Sequence, residues 1–295
     1  MRFGIVILPQ FPWPEAARRW QAAEAYGFDV AWTYDHLSWR SLADEPWHAT
    51  VPTLTAAAMA TSTIRLGTFV ANPNFRHPVP FAKELATLDQ IAGGRVVAGL
   101  GSGGTGFDAH VLGQEPLSPG QRHERYVEFV EALDRLLRFE QPGSGGISFA
   151  GEWFTAERAR MVGAPAQSPR LPLQLAANGP RGLALAARLA DGWITTGRAE
   201  LDAEAWWRNV GELSRRFAEA CAEHGRDVAG VARVLSLDEG DRYSLASAAA
   251  FEDAVERARG LGFDEVVAHW PRESGIYAGD ERVLEEVAAR LPALR

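Results

Sequence analysis

Short apolar runs rich in β-branched residues alternate along this chain with longer segments of helical period, the pattern of repeated βα units on a parallel sheet. The expected strands are Arg2 to Leu8, Val30 to Tyr34, Ile64 to Val70, Arg95 to Leu100, Leu173 to Ala177, Gly192 to Thr196, Val231 to Ser236 and Glu265 to Trp270. The expected helices are Pro14 to Tyr26, Val51 to Thr61, Pro80 to Ile91, Gln121 to Phe139, Arg181 to Leu189, Asp202 to Glu223, Leu245 to Leu261 and Asp280 to Leu291. Eight strands each followed by a helix is the arithmetic of a single (β/α)8 TIM barrel, whereas a doubly wound sheet would usually need fewer units. A length of 295 residues would also allow two modest domains, and the unit count decides for one domain over residues 1–295. Pro14 at a helix start and the glycines Gly27, Gly93, Gly94, Gly225 and Gly262 after helices follow the usual asymmetry of helix ends.

Two segments lack the period of a barrel element, about 103–120 and 140–172. The second carries Pro142-Gly143-Ser144-Gly145-Gly146 and then Pro165, Pro169 and Pro172, so it reads as a loop or small hairpin. Long insertions of this kind tend to be lids or binding segments, and both are expected to overhang the site. Arg158, Arg160 and Arg170 would then bring positive charge to its mouth.

The formal charge of −8 leaves no basic face that could neutralise a row of phosphates, so a small molecule is a better partner than nucleic acid. The apolar run around Leu54 to Met59 falls far short of the roughly 20 residues a bilayer span needs. The start Met1-Arg2-Phe3-Gly4-Ile5-Val6-Ile7-Leu8 reads as a buried strand rather than a signal peptide, which implies a cytoplasmic protein. Cys221 is the single cysteine and lies in an Ala/Glu-rich helical stretch, so it reads as a packing residue. Lys83 is the single lysine and lies mid-helix, which disfavours a Schiff base. No histidine pair has the HxxxH or HxH spacing of a metal site, so no metal is expected, and with it a metal-dependent hydrolase is disfavoured.

In a barrel the chemistry lies at the C-terminal ends of the strands. The second strand ends in Asp35-His36, where an imidazole can move a proton near neutral pH. The turn Ala177-Asn178-Gly179-Pro180 opens onto a helix, beside Thr195-Thr196 at the end of the next strand. Glycine there would let backbone N–H groups and a helix N-terminus approach an anion. Gly99-x-Gly101-x-Gly103 lacks the acidic residue of a dinucleotide fingerprint, and Asn72 follows the third strand. Trp13, Trp39, Trp47 and Trp270 fall at loop ends, where they would form an aromatic pocket for a flat or apolar substrate.

Three motifs go further: Glu24-Ala25-x-Gly27-Phe28-Asp29-x-x-Trp32-x-x-Asp35-His36, Ile64-Arg65-Leu66-Gly67-Thr68-x-Val70 and Thr87-Leu88-Asp89-x-x-x-Gly93-Gly94-Arg95. With Ala176-Ala177-x-Gly179-Pro180-x-x-x-x-Leu185-Ala186 and Ala190-Asp191-Gly192-Trp193, they resemble the luciferase-like monooxygenase superfamily, in order from residue 3 to about 197. Beyond that only the barrel pattern matches. The resemblance implies a flavin- or deazaflavin-dependent oxidoreductase on a (β/α)8 barrel with insertions. It places the cofactor ring over the barrel mouth, backed by a bulge at Phe69-Val70 that often holds a non-proline cis peptide. Asp35, Asn72, Gly101, Gly103 and Asn178 would also bind the cofactor, whose phosphate would sit on Ala177, Gly179 and Pro180 with the hydroxyl of Thr195 or Thr196. His36 would be the proton-handling residue.

Coenzyme F420 is the expected cofactor, with hydride transfer to or from a small organic substrate as the reaction. Flavin mononucleotide (FMN) with molecular oxygen is the alternative, and a non-catalytic flavin-binding barrel a second one. Where the F420-dependent sugar-phosphate dehydrogenases carry a glutamate this chain has Gly104, and the expected lysines are absent, so glucose-6-phosphate is a poor substrate guess. Apolar stripes such as Phe81, Leu85 and Leu88, and Ala56 to Ala60, suggest a homodimer, which members of this superfamily commonly form.

Overall fold

The chain alternates in period because each barrel strand is buried on both faces while each helix buries one stripe, and the computed structural model arranges these layers as a closed barrel. Residues 1–104, 107–139, 143–239 and 243–295 are described. The elements are β1 (Arg2–Val6), α1 (Trp13–Ala25), β2 (Val30–Thr33), α2 (Thr50–Ala60), β3 (Arg65–Ala71), α3 (Pro78–Ile91), β4 (Val96–Leu100), α4 (Phe107–Val111), α5 (Pro119–Leu137), β5 (Ile147–Ala150), β6 (Thr155–Ala159), β7 (Leu173–Ala176), α6 (Pro180–Leu189), β8 (Gly192–Thr195), α7 (Ala203–Glu223), β9 (Ala232–Ser236), α8 (Ala248–Gly260), β10 (Glu265–His269) and α9 (Glu281–Leu294). The barrel closes in the order β1, β10, β9, β8, β7, β4, β3, β2 with every pairing parallel. The expected (β/α)8 fold is therefore present, and β5 and β6 form an antiparallel hairpin within the second insertion.

Trp32 fills the barrel interior with Val6, Val97, Ile194, Val234 and Val267. Its ring takes the space that side chains would need at Gly4 and Gly67, where an added Cβ would come within 2.8 and 2.3 Å of it. An outer core lies between strands and helices and includes the stacked pair Trp193 and Phe217. Phe81, Leu85 and Leu88 of α3, and Ala57 and Ala58 of α2, belong to this outer core, so the apolar stripes read as a dimer surface are satisfied within one chain. Cys221 is likewise buried in it.

Helix starts follow from their caps. Ser118 and Gln121 form a capping box before α5, with Pro119 at its first position, and Asp202 caps α7. Several residues that carry the family motifs lie instead at the N-terminal face of the barrel. Glu24 accepts hydrogen bonds from the backbone N–H groups of Ser62, Thr63 and Ile64, while Arg95 donates to the carbonyls of Ala58, Thr61, Ile64 and Ala92. Asp89 accepts from Val96 and Gln167. These polar ties hold loops to strands away from the catalytic face, where such residues serve stability.

Candidate active site

At the C-terminal mouth the strand ends enclose a cavity of about 640 Å³. Its floor is shaped at the end of β3. The Phe69–Val70 peptide is cis, and pairing with β4 shifts register between Thr68 and Ala71. The Thr68 hydroxyl donates to the Gly99 carbonyl at 2.7 Å. Val70 then packs so closely on β4 that a Cβ at Gly101 would lie 2.6 Å from its Cγ2, which is why glycine is required there. Val70 reaches the cavity; Phe69 turns inward against Trp32, with ring centroids 5.5 Å apart. Of the two residues expected behind a cofactor ring, only Val70 is on the wall.

His36 also lines the cavity, three positions beyond β2, the strand that pairs with β3. Its Nδ1 is 2.9 Å from Oδ2 of Asp108, whose other oxygen accepts from the Leu37 backbone N–H at 2.8 Å. Asp108 is buried, with a side chain 2% exposed, and that of His36 is 22% exposed. A buried carboxylate on Nδ1 favours the tautomer with the proton on that nitrogen and leaves Nε2 as the basic atom. Asp108 was not legible in the sequence, because α4 is a five-residue helix inside a segment read as loop.

Asp35 does something different from its expected role beside a cofactor. Arg76 grips its carboxylate through two hydrogen bonds, Nε to Oδ2 at 2.5 Å and Nη2 to Oδ1 at 2.7 Å, and the Asp35 side chain is 1% exposed. A bidentate pair of this kind fixes the β2 and β3 loops together and keeps Asp35 off the cavity wall. Asn72 completes the tie by donating to the Asp35 carbonyl at 3.3 Å and accepting from the Asn74 N–H at 3.0 Å, while remaining on the wall. Gly101 and Gly103 line the cavity as expected.

The corner between β7 and β8 holds the expected anion-binding residues. The Thr195 hydroxyl donates to Asn178 Oδ1 at 2.6 Å and accepts from the Gly197 N–H at 3.2 Å, so this buried side chain braces the corner rather than facing a ligand. Asn178 Nδ2 donates to the Gly197 carbonyl and to the Thr196 hydroxyl, at 3.0 and 3.2 Å. Ala177, Asn178 and Thr196 form the wall, and Gly179 and Pro180 are the N-cap and first residue of α6. Apart from its chain neighbours, no atom of the described residues lies within 4 Å of a Cβ built on Gly179, so its backbone is open to close approach. The first N–H groups of α6 have no acceptor within the helix.

The tryptophans divide. Trp39 lines the cavity, stacked on Trp47 at 6.3 Å and meeting Tyr34 edge-on at 5.2 Å. Trp13 stands exposed at the start of α1 and Trp270 is buried in the outer core, stacked on Tyr26, with its N–H on Glu281. Neither borders the cavity: Trp13 stands on a helix beyond the β1 loop, and Trp270 points away because consecutive residues at a strand end face opposite sides of the barrel wall.

The insertions are tied down by polar contacts. Glu128 of α5 accepts from the backbone N–H groups of Trp153 and Phe154 in the β5–β6 hairpin. Arg170 is buried between Asp134 and Asp191 and so brings no free charge to the mouth, contrary to expectation. Arg158 pairs with its neighbour Glu157 on the exposed hairpin. Among the described residues, no group of three or more His, Cys, Asp or Glu side chains could hold a metal, and no helix is long and apolar enough to cross a membrane.

The sequence of residues 1–258 matches the family model of the luciferase-like monooxygenases. The chain belongs to that family. It is 33% identical over 229 residues to an F420-dependent hydroxymycolic acid dehydrogenase of Mycobacterium tuberculosis, covering 76% of this chain and 58% of that protein. It is 30% identical over 212 residues to a 5,10-methylenetetrahydromethanopterin reductase of Archaeoglobus fulgidus, covering 71% and 57%. The chain thus spans under two thirds of the length of these relatives. Two solved structures share the fold over the whole chain: an F420-dependent secondary alcohol dehydrogenase in complex with an F420-acetone adduct, at TM-score 0.81, 21% identity and 99% of its length, and an F420-dependent tetrahydromethanopterin reductase from Methanopyrus kandleri, at 0.78, 20% and 99%.

Proposed function

We propose that this family member is a coenzyme F420-dependent oxidoreductase that transfers a hydride between the deazaflavin and a small organic substrate. The observation that carries the reading is His36, held at Nδ1 by buried Asp108 and bordering the same cavity as Val70 of the β3 bulge. The residues present fit such a cofactor: Val70, Ala176 and Ile194 offer an apolar backing, and Gly179 leaves the α6 N-terminus open for a phosphate. Ala177, Asn178, Pro180 and Thr196 would complete that corner, braced by Thr195. When bound, the deazaflavin supplies a two-electron hydride carrier. His36 holds or releases a proton at Nε2 while Asp108 keeps its ring in place, and Trp39 stacked on Trp47 offers a flat apolar face to the substrate.

Titrating the purified chain with F420 and with FMN, followed by absorbance and fluorescence, tests this reading. F420 is expected to bind and FMN to bind weakly. Tighter FMN binding with oxygen-dependent turnover would overturn the reading in favour of a monooxygenase, and cofactor binding without any His36-dependent activity would favour a non-catalytic barrel. Gly179→Val should weaken cofactor binding, since a β-branched side chain would obstruct the phosphate.

The proposal extends to a homodimer through the α2 and α3 region, supported by Met59 and Ile91, which are 76% and 42% exposed there. A monomeric mass in light scattering at micromolar concentration would exclude it.

A further inference from the structure

A second, smaller cavity of about 240 Å³ adjoins the first, with Asn74 and Gly104 lining both. Its wall carries Arg122 and Arg125, one turn apart on α5, and Trp153 from the β5–β6 hairpin. Two other buried guanidinium groups meet carboxylates: Arg76 meets Asp35, and Arg170 meets Asp134 and Asp191. Here, among the described residues, no carboxylate oxygen pairs with either arginine. Arg122 donates to the Leu117 carbonyl at 2.7 Å, and Arg125 donates through Nη2 to Asn74 Oδ1 at 2.5 Å. The carboxylate that does border the cavity, Glu115, is exposed and makes no ion pair with them.

Two further N–H groups are left over. Arg125 Nε and Trp153 Nε1 are both buried and have no acceptor among the described residues, and the Arg125 guanidinium lies 6.0 Å from the Trp153 ring centroid. Burial and the neighbouring Arg122 charge hold the Arg125 pKa below its ordinary value. Unpaired buried donors and adjacent like charges are costly, and an anion is what would relieve both. A planar guanidinium fork is also the side chain best matched to carboxylate or phosphate oxygens.

We propose that Arg122, Arg125 and Trp153 form an anion subsite that takes a carboxylate or phosphate group of a molecule extending from the main cavity past Asn74 and Gly104, which line both cavities. The molecule is either the tail of the cofactor or an acidic substrate. The subsite follows from the arginines themselves and does not depend on the assignment of F420.

Calorimetric titration of the full chain, free of cofactor, with inorganic phosphate and with γ-glutamylglutamate tests it. Wild type is expected to bind at least one of these probes, and Arg125→Gln or Arg122→Gln to weaken that binding by roughly 10- to 100-fold. Arg125→Lys should restore part of it by keeping the charge without the fork. Absence of binding to wild type at millimolar probe, or equal binding to the variants, would overturn the proposal. Should Arg125→Gln fail to fold, the same comparison is made with Arg122→Gln at the half-buried position. The source of the anion is then read from F420 with and without its glutamates. A loss confined to the tailed cofactor in Arg122→Gln assigns the subsite to the tail, and unchanged cofactor affinity with lost probe binding assigns it to an acidic substrate. Failure of F420 to bind wild type would sink the proposed function but leave the probe result standing.

Discussion

His36 and His269 each present Nδ1 to an aspartate Oδ2, at 2.9 and 3.0 Å, and each sits near the C-terminal end of a barrel strand. Their surroundings differ. His269 and Asp238 are 1% and 0% exposed, and Asp238 also accepts from the backbone N–H groups of Ser244 and His269. Tyr34 Oη meets His269 Nε2 at 2.8 Å and Tyr277 Oη at 2.8 Å, and the Tyr277 ring stacks on the imidazole at 3.8 Å. Burial pushes the Tyr34 phenol well up, so it stays protonated and can donate to Nε2. Both ring nitrogens of His269 are therefore committed, and the group ties β2, β9 and β10 together. The His36 pair has the same carboxylate on Nδ1, but its ring opens onto the cavity. What Nε2 meets, rather than the histidine–aspartate pair itself, separates a structural tie from a proton-handling group.

The contrast breaks most visibly at His269. His269→Ala is expected to cost about 3–5 kcal/mol of stability in urea unfolding, because it leaves a cavity and strands a buried carboxylate. A loss within the range of surface substitutions would mean the network is not a structural tie. His36→Ala should leave the unfolding midpoint and cofactor affinity nearly unchanged while turnover falls about 10²-fold or more. An unaltered rate would remove His36 from the mechanism.

Asp108→Asn sharpens the comparison by touching only the orienting partner. Turnover is expected to fall roughly 10- to 100-fold, with a displaced pH–rate profile that loss of packing alone would not cause. Tyr34→Phe should cost about 1–2 kcal/mol of stability by leaving His269 Nε2 unpaired, and a change in the pH–rate profile would show that the buried network does reach the site. The smallest effect belongs to the opposite face of the barrel. Burial pushes the Glu24 carboxyl up, but hydrogen bonds from Thr63, Ile64 and Ser62 outweigh it and hold the pKa at about 2. Its contribution to stability is therefore present above the ordinary carboxylate pKa and fades as pH falls from about 4.5 toward 2. In Glu24→Gln that acid-range slope should flatten in pH-dependent unfolding, leaving the histidine range untouched.

Much of this was legible in the residues. Each barrel strand is buried on both faces and each helix on one, so the change of period marks the eight barrel strands to within about two residues of their ends. The fold follows from that count. Position at strand ends brought His36, Val70, Asn72, Gly101, Gly103, Ala177, Asn178 and Thr196 to one cavity. The sequence by itself thus determined the barrel and which loops face its mouth, because periodicity and caps are local properties of neighbouring residues. Which way each side chain turns, and which distant group it meets, was decided only by the tertiary structure. Asp108 lies 72 positions from His36 and Arg76 lies 41 from Asp35. Trp270 turns outward to Tyr26 while its neighbour His269 turns inward to Tyr34. Arg170 is neutralised and Arg125 is not, although nothing in their local sequence tells them apart. Charge and hydrogen-bond pairing act between atoms brought together by closing the barrel, and no period along the chain records them.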